Sequence, residues 1–68
     1  MTRTGGKETK EKILTIAEEL FSEKGFDATS VDLIAQKAGV NKALIYYHYK
    51  SKQDLLNSLF KRTLDEMF

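Results

Sequence analysis

VDLIAQKAGVNKALIYYHYK, residues 31–50, is the stretch on which the reading of this chain turns. Val31, Ile34, Ala35 and Ala38 fall at i, i+3, i+4 and i+7, so its first half is a short helix with one face turned to a core. Gly39 closes that helix after about two turns, and Val40 beyond it is again apolar. Asn41 is a good N-cap for a further short helix over roughly 42–49. Ala35, Gly39 and Ile45 occupy the places a helix-turn-helix requires. A small residue lets two helices approach, glycine supplies a positive φ in the turn, and a branched residue plugs the angle between them.

The composition of the second of these helices adds chemistry to the pattern. Lys42 to Lys50 holds three tyrosines, one histidine and two lysines, and Lys52 follows directly. A helix serving only a core would not place so many hydroxyl, imidazole and ammonium groups in two turns. Such side chains suit DNA: hydroxyls reach phosphates or base edges, aromatic rings pack on thymine methyls, and lysines neutralise phosphates.

Outward from this motif the chain reads as helical throughout. Ile13, Ile16, Ala17, Leu20 and Phe21 recur at three- and four-residue steps, giving a first helix from about Lys7. Gly25 ends it as the left-handed residue, with Phe26 packing back on Phe21. Thr29-Ser30-Val31-Asp32 has the form of a capping box in which Thr29 accepts from a free backbone N–H and Asp32 returns the contact. Ser51-Lys52-Gln53-Asp54 is a second such box. It opens a fourth helix with the apolar stripe Leu55, Leu56, Leu59, Phe60, Leu64 and Met67. That stripe runs to Phe68 without a stop signal, so the fourth helix is expected to be a truncated connector to a domain beyond it. Residues 1–6, with Gly5 and Gly6 and nothing to bury, read as a flexible arm. Residues 7–50 then form the domain and 51–68 the fourth helix.

Composition supports an all-α fold and excludes much else. The chain has 68 residues, 41% hydrophobic and 31% charged, with no proline and no cysteine. A chain so short buries only about 60% of its unfolded surface, and without cysteine it has no disulfide or thiolate zinc site to help. One histidine cannot build a metal cluster, and no acid–base pair or phosphate-cradling glycine loop is present, so neither catalysis nor a cofactor nor a metal is expected. The net charge is only +1, but it is distributed: +2 over residues 1–12, −3 over 13–40 and +2 over 41–68. An acidic middle flanked by basic ends fits an anionic partner. Apolar runs are too short for a signal peptide or a membrane span, so a cytoplasmic protein without a membrane partner is expected. Glu18, Glu19 and Glu23 are expected to face solvent. So are Lys61 and Arg62, with Asp65 as their partner along the helix.

These residues together resemble the TetR family of transcriptional regulators. The likeness runs through Ile13-Leu14, Leu20-Phe21, Gly25-Phe26, Thr29-Ser30-Val31, Ile34-Ala35, Ala38-Gly39-Val40, Ile45-Tyr46-Tyr47-His48-Tyr49, Ser51-Lys52 and Leu55-Leu56, covering nearly everything after the arm. It implies a three-helix, homeodomain-like DNA-binding domain, with the fourth helix leading into a larger domain for dimerisation and effector sensing. By the same resemblance Tyr46, Tyr47 and His48 contact DNA from a recognition helix at 42–48. Lys42 takes a base-contacting position near that helix's start. Lys52 binds phosphate at the start of helix four, and Ser30 offers a phosphate-binding hydroxyl. The pattern also departs from the family in places. Leu44 stands where threonine is frequent, Ala43 replaces glycine or proline, and Tyr49 replaces phenylalanine and brings a hydroxyl that needs a partner.

The expected function is sequence-specific binding of double-stranded DNA by a transcriptional regulator, a repressor by preference. A full-length protein is expected to be a homodimer, and this piece a monomer. A small-molecule effector is expected only through a domain not present here. The first rival reading is a helical protein-interaction module whose tyrosine cluster is an aromatic hot spot. The second, an interfacial membrane helix built from 52–68, is disfavoured because Asp54, Asp65 and Glu66 interrupt its basic face.

Overall fold

The computed structural model describes residues 6–67, which form four helices: α1 (Gly6–Lys24), α2 (Val31–Ala38), α3 (Lys42–His48) and α4 (Lys52–Met67). The expected arm lies outside the described residues except for Gly6, which already belongs to α1. α1 packs against each of the other three helices, and α2 packs against α3. α2 and α3 are eight and seven residues long, well short of what holds a helix together in water by itself. Both therefore depend on the core. Ile13, Leu20, Ile34, Ile45 and Leu55 are essentially inaccessible to solvent, so every helix contributes at least one fully buried branched residue. Each contributes about 1.5–3 kcal/mol relative to exposure. Leu14, not anticipated as core, is buried among them, and Phe21, Val31 and Val40 pack half-buried around the cluster.

Local chemistry sets the helix ends. Gly25 and Gly39 take positive φ, 88° and 74°. At the second, the Val40 N–H donates to the Ala35 carbonyl at 3.0 Å and the Gly39 N–H to Gln36 at 3.3 Å, the paired bonds of a Schellman turn. At the first, the Gly25 N–H donates to Phe21 at 2.9 Å, and the Phe21 and Phe26 rings sit 5.3 Å apart. The Leu44 N–H donates to the Asn41 side chain at 2.9 Å. At α4 the Asp54 N–H donates to Ser51 Oγ at 3.1 Å, while the Asp54 carboxylate accepts from the Lys50 N–H at 2.9 Å. The box therefore closes one residue earlier than its usual form.

Three expectations are corrected. The N-cap of α2 is Ser30, whose Oγ accepts from the Leu33 N–H at 3.0 Å. Thr29 is wholly buried and its hydroxyl reaches the carbonyls of Gly25 at 2.8 Å and Leu20 at 3.2 Å. The inner of two adjacent hydroxyls thus satisfies the end of α1, and the outer one caps α2. Arg62 does not pair with Asp65 along its own helix. It crosses to α1, where Glu18 lies at 3.0 Å and Glu11 at 3.3 Å; Glu18 faces solvent as expected and pairs with α4 from there. The stripe on α4 also divides: Leu55 and Leu59 are buried, while Phe60 and Leu64 are exposed. Among the described residues no helix is long and apolar enough to cross a membrane.

Candidate nucleic-acid interface

α3 is anchored at both ends and open along its outer face. Asn41 caps its start, Ile45 is its buried residue, and the chain turns extended at Tyr49 immediately after His48. Tyr49 is buried, with its hydroxyl donating to the Lys10 carbonyl at 3.1 Å. The hydroxyl that departs from the family pattern therefore has its partner, and it ties the end of α3 to α1. With Ile45 and Tyr49 directed inward, the helical period turns Tyr46 and Tyr47 outward. They are 46% and 80% exposed. His48 is half-buried and meets the Tyr47 ring edge-on at 5.0 Å between centroids.

Beside this face runs an open groove that gathers four of the six expected site residues. Ser30, Lys42, Tyr46 and Lys52 line it, together with Asp32 and Lys50, whereas Tyr47 and His48 lie outside. Ser30 arrives there because it caps α2, and Ser51 because it caps α4. Two of the groove's ammonium groups are already oriented by the protein. Lys42 donates to the Asp32 carboxylate at 3.0 Å. That hydrogen bond and the carboxylate's charge raise the Lys42 pKa above the ordinary lysine value, so it stays cationic. Lys52 donates to the Phe26 carbonyl at 2.7 Å, with its ammonium 4.3 Å from the centre of the Phe26 ring. Lys52 therefore also holds the α1–α2 loop against α4.

Sequence reasoning gave no site role to Asp32 or to Lys50 by itself. The signal for Asp32 lay in its distance from Lys42, ten positions along the chain and on the next helix, which no local pattern records. A groove lined by ammonium and hydroxyl groups beside exposed phenol rings offers point charges for phosphates and donors for base edges. Among the described residues no group of three or more His, Cys, Asp or Glu side chains is placed to hold a metal ion.

Comparison with known proteins agrees with this architecture. A family model described as bacterial regulatory proteins, tetR family, matches residues 13–59. The HTH-type transcriptional regulator AcrR of Shigella flexneri is 40% identical over 60 residues, which is 88% of this chain and 28% of that protein. The biofilm operon icaADBC HTH-type negative transcriptional regulator IcaR of Staphylococcus aureus (strain Newman) is 43% identical over 56 residues, 82% of this chain and 30% of that protein. The chain thus spans less than a third of the length of either relative. The matched segment begins in α1 and ends in α4, enclosing the paired short helices and their glycine turn. The chain belongs to the tetR family of bacterial regulatory proteins.

Proposed function

We infer that this domain binds double-stranded DNA in a sequence-dependent way, placing α3 in the major groove as part of a transcriptional regulator. The observation that carries the reading is the outer face of α3, where Tyr46 and Tyr47 stand exposed beside a groove holding Lys42, Lys50 and Lys52. Lys42 and Tyr46, one turn apart, read bases. Tyr47 and His48 extend the contact at the end of the helix. Ser30 and Lys52 hold backbone phosphates on the two sides of the groove and fix register. Repression by occupying a promoter is the preferred mode, in line with a relative named as a negative regulator. The full regulator acts as a cytoplasmic homodimer whose two α3 helices address half-sites about 34–36 Å apart, or a multiple of that. Any effector binds outside these 68 residues. The reading assigns the domain no catalysis.

Binding measured against salt tests this directly. Affinity for duplex DNA should fall steeply and linearly on logarithmic axes as salt rises, because lysines on phosphates release counterions. Selection from a random duplex pool should enrich one motif. A partner bound through Tyr46 and Tyr47 with almost no salt response would point to a protein-interaction surface and overturn the reading.

A further inference from the structure

Two acids, Asp27 and Asp32, line the groove beside its three lysines, and among the described residues Asp32 is the one ion-paired to a lysine there. Asp32, the second residue of α2, lines a surface that also carries Lys42, Lys50 and Lys52, and its carboxylate accepts from the Lys42 ammonium at 3.0 Å. A polyanion docking there meets that negative charge. The two side chains are 51% and 75% exposed, and an ion pair so open to water contributes little to stability. An acid in the first turn complements the dipole of α2, which accounts for the charge but not for its engagement with the lysine of the neighbouring helix.

The pairing matters for what Lys42 can do. Lysine carries its charge on a flexible four-carbon stem, and an ammonium has three N–H donors. One donor is committed to Asp32, which fixes the stem across the turn between α2 and α3. Two remain, enough for adjacent acceptors such as O6 and N7 on the major-groove edge of guanine. A phosphate that takes the free donors brings its own charge up against the Asp32 carboxylate, and one that draws Lys42 away leaves Asp32 bare beside the DNA backbone. Specificity is a difference between affinities, and a repulsive element against the wrong partner is one way to create it.

We propose that Asp32 is a positioning residue that makes Lys42 a reader of base edges rather than a general phosphate clamp, raising sequence discrimination while lowering affinity for DNA at large. The proposal rests on the DNA-binding reading given above. Its test uses this chain, the duplex most enriched from a random pool, and a scrambled duplex of equal length and composition. Asp32→Asn keeps the shape and removes the charge. Affinity for the scrambled duplex should rise about fivefold, the size of one unit-charge interaction at contact distance in water. The salt slope on that duplex should steepen by about 1 as Lys42 becomes free to meet a phosphate. The enriched duplex should gain less, so the ratio of the two affinities falls. In a Lys42→Met background there is no ammonium to aim. There Asp32→Asn should raise both affinities equally and leave the ratio unchanged.

An unchanged ratio after Asp32→Asn in the otherwise natural chain overturns the proposal, and so does an equal fall in the Lys42→Met background. Asp32→Ser, which also suits a helix's first turn, provides a second neutral variant if the asparagine fails to fold. Absence of salt-dependent binding by the unaltered chain would instead overturn the DNA-binding reading as a whole.

Discussion

Replacing Thr29 by valine should destabilise the domain by about 1 kcal/mol, the net contribution of a typical hydrogen bond. Valine has nearly the same shape, so packing is preserved and no cavity opens. What disappears is the hydroxyl, which reaches the Gly25 carbonyl at 2.8 Å and the Leu20 carbonyl at 3.2 Å from a wholly buried position. The Leu20 carbonyl lies inside α1, four residues before its end at Lys24, where the helical ladder supplies its own N–H. The Gly25 carbonyl lies beyond the last turn and has no such donor, so the shorter bond accounts for most of the loss. A domain of this size has a total stability of roughly 3–10 kcal/mol, and each kcal/mol is worth about 4–8 °C in melting temperature. The transition followed by far-ultraviolet circular dichroism should therefore fall by about 4–8 °C. Thr29→Ser, which keeps the hydroxyl and loses one methyl group, should retain more of the stability. If Thr29→Val melted with the natural chain, the hydroxyl would not be satisfying the end of α1.

Gly39→Ala should cost about 1–2 kcal/mol through its left-handed backbone alone, because a Cβ there meets nothing within 4 Å. Gly39→Asn should cost less, and equal melting of the two variants would remove backbone strain as the cause. The Tyr49 phenol is pushed up to about 12, chiefly by burial, with Glu11 adding and Arg62 opposing. The folded state thus holds this proton more tightly than the unfolded one. The resulting stability is complete below pH 10 and lost as pH rises towards 12. Urea midpoints of the natural chain and Tyr49→Phe should converge across that window, whereas parallel curves would contradict the sign. Lys52→Ala should weaken binding to all duplexes alike and lower the salt slope by roughly 1. It should also lower the melting temperature, because the contact to the Phe26 carbonyl is lost. Tyr46→Ala should leave melting nearly unchanged while relaxing base preference, and the opposite assignment of these two effects would refute the recognition-helix reading.

The parts of this fold legible in the sequence are those written in neighbouring residues. Gly25, Gly39, Asn41 and Ser51 stop and start helices through bonds spanning three to five positions, and apolar spacing chose the buried faces of α1 and α2. Thr29 and Ser30 show where local reading ends. Both carry hydroxyls, either could cap, and only the packing of α1 against α2 decides which one turns inward. Arg62 shows the same limit at longer range. Glu18 and Glu11 lie 44 and 51 positions away, while Asp65 offered a plausible partner one turn along. In the groove, residue types were legible and their engagements were not. Lys42 and Lys52 are named by their places in the motif, but their attachment to Asp32 and to the Phe26 carbonyl depends on how separate helices meet.

α3 owes its place to Ile45 and to the two anchors at its ends, Asn41 and Tyr49. The outward positions between them, Tyr46 and Tyr47 above all, hold nothing up. Exposed substitutions away from caps and cores usually shift stability by no more than about 0.5 kcal/mol. The address such a domain recognises can therefore be rewritten by drift at a few surface positions while the scaffold stays intact. Duplicated copies of one ancestral fold could diverge onto different DNA sequences without first passing through an unfolded intermediate.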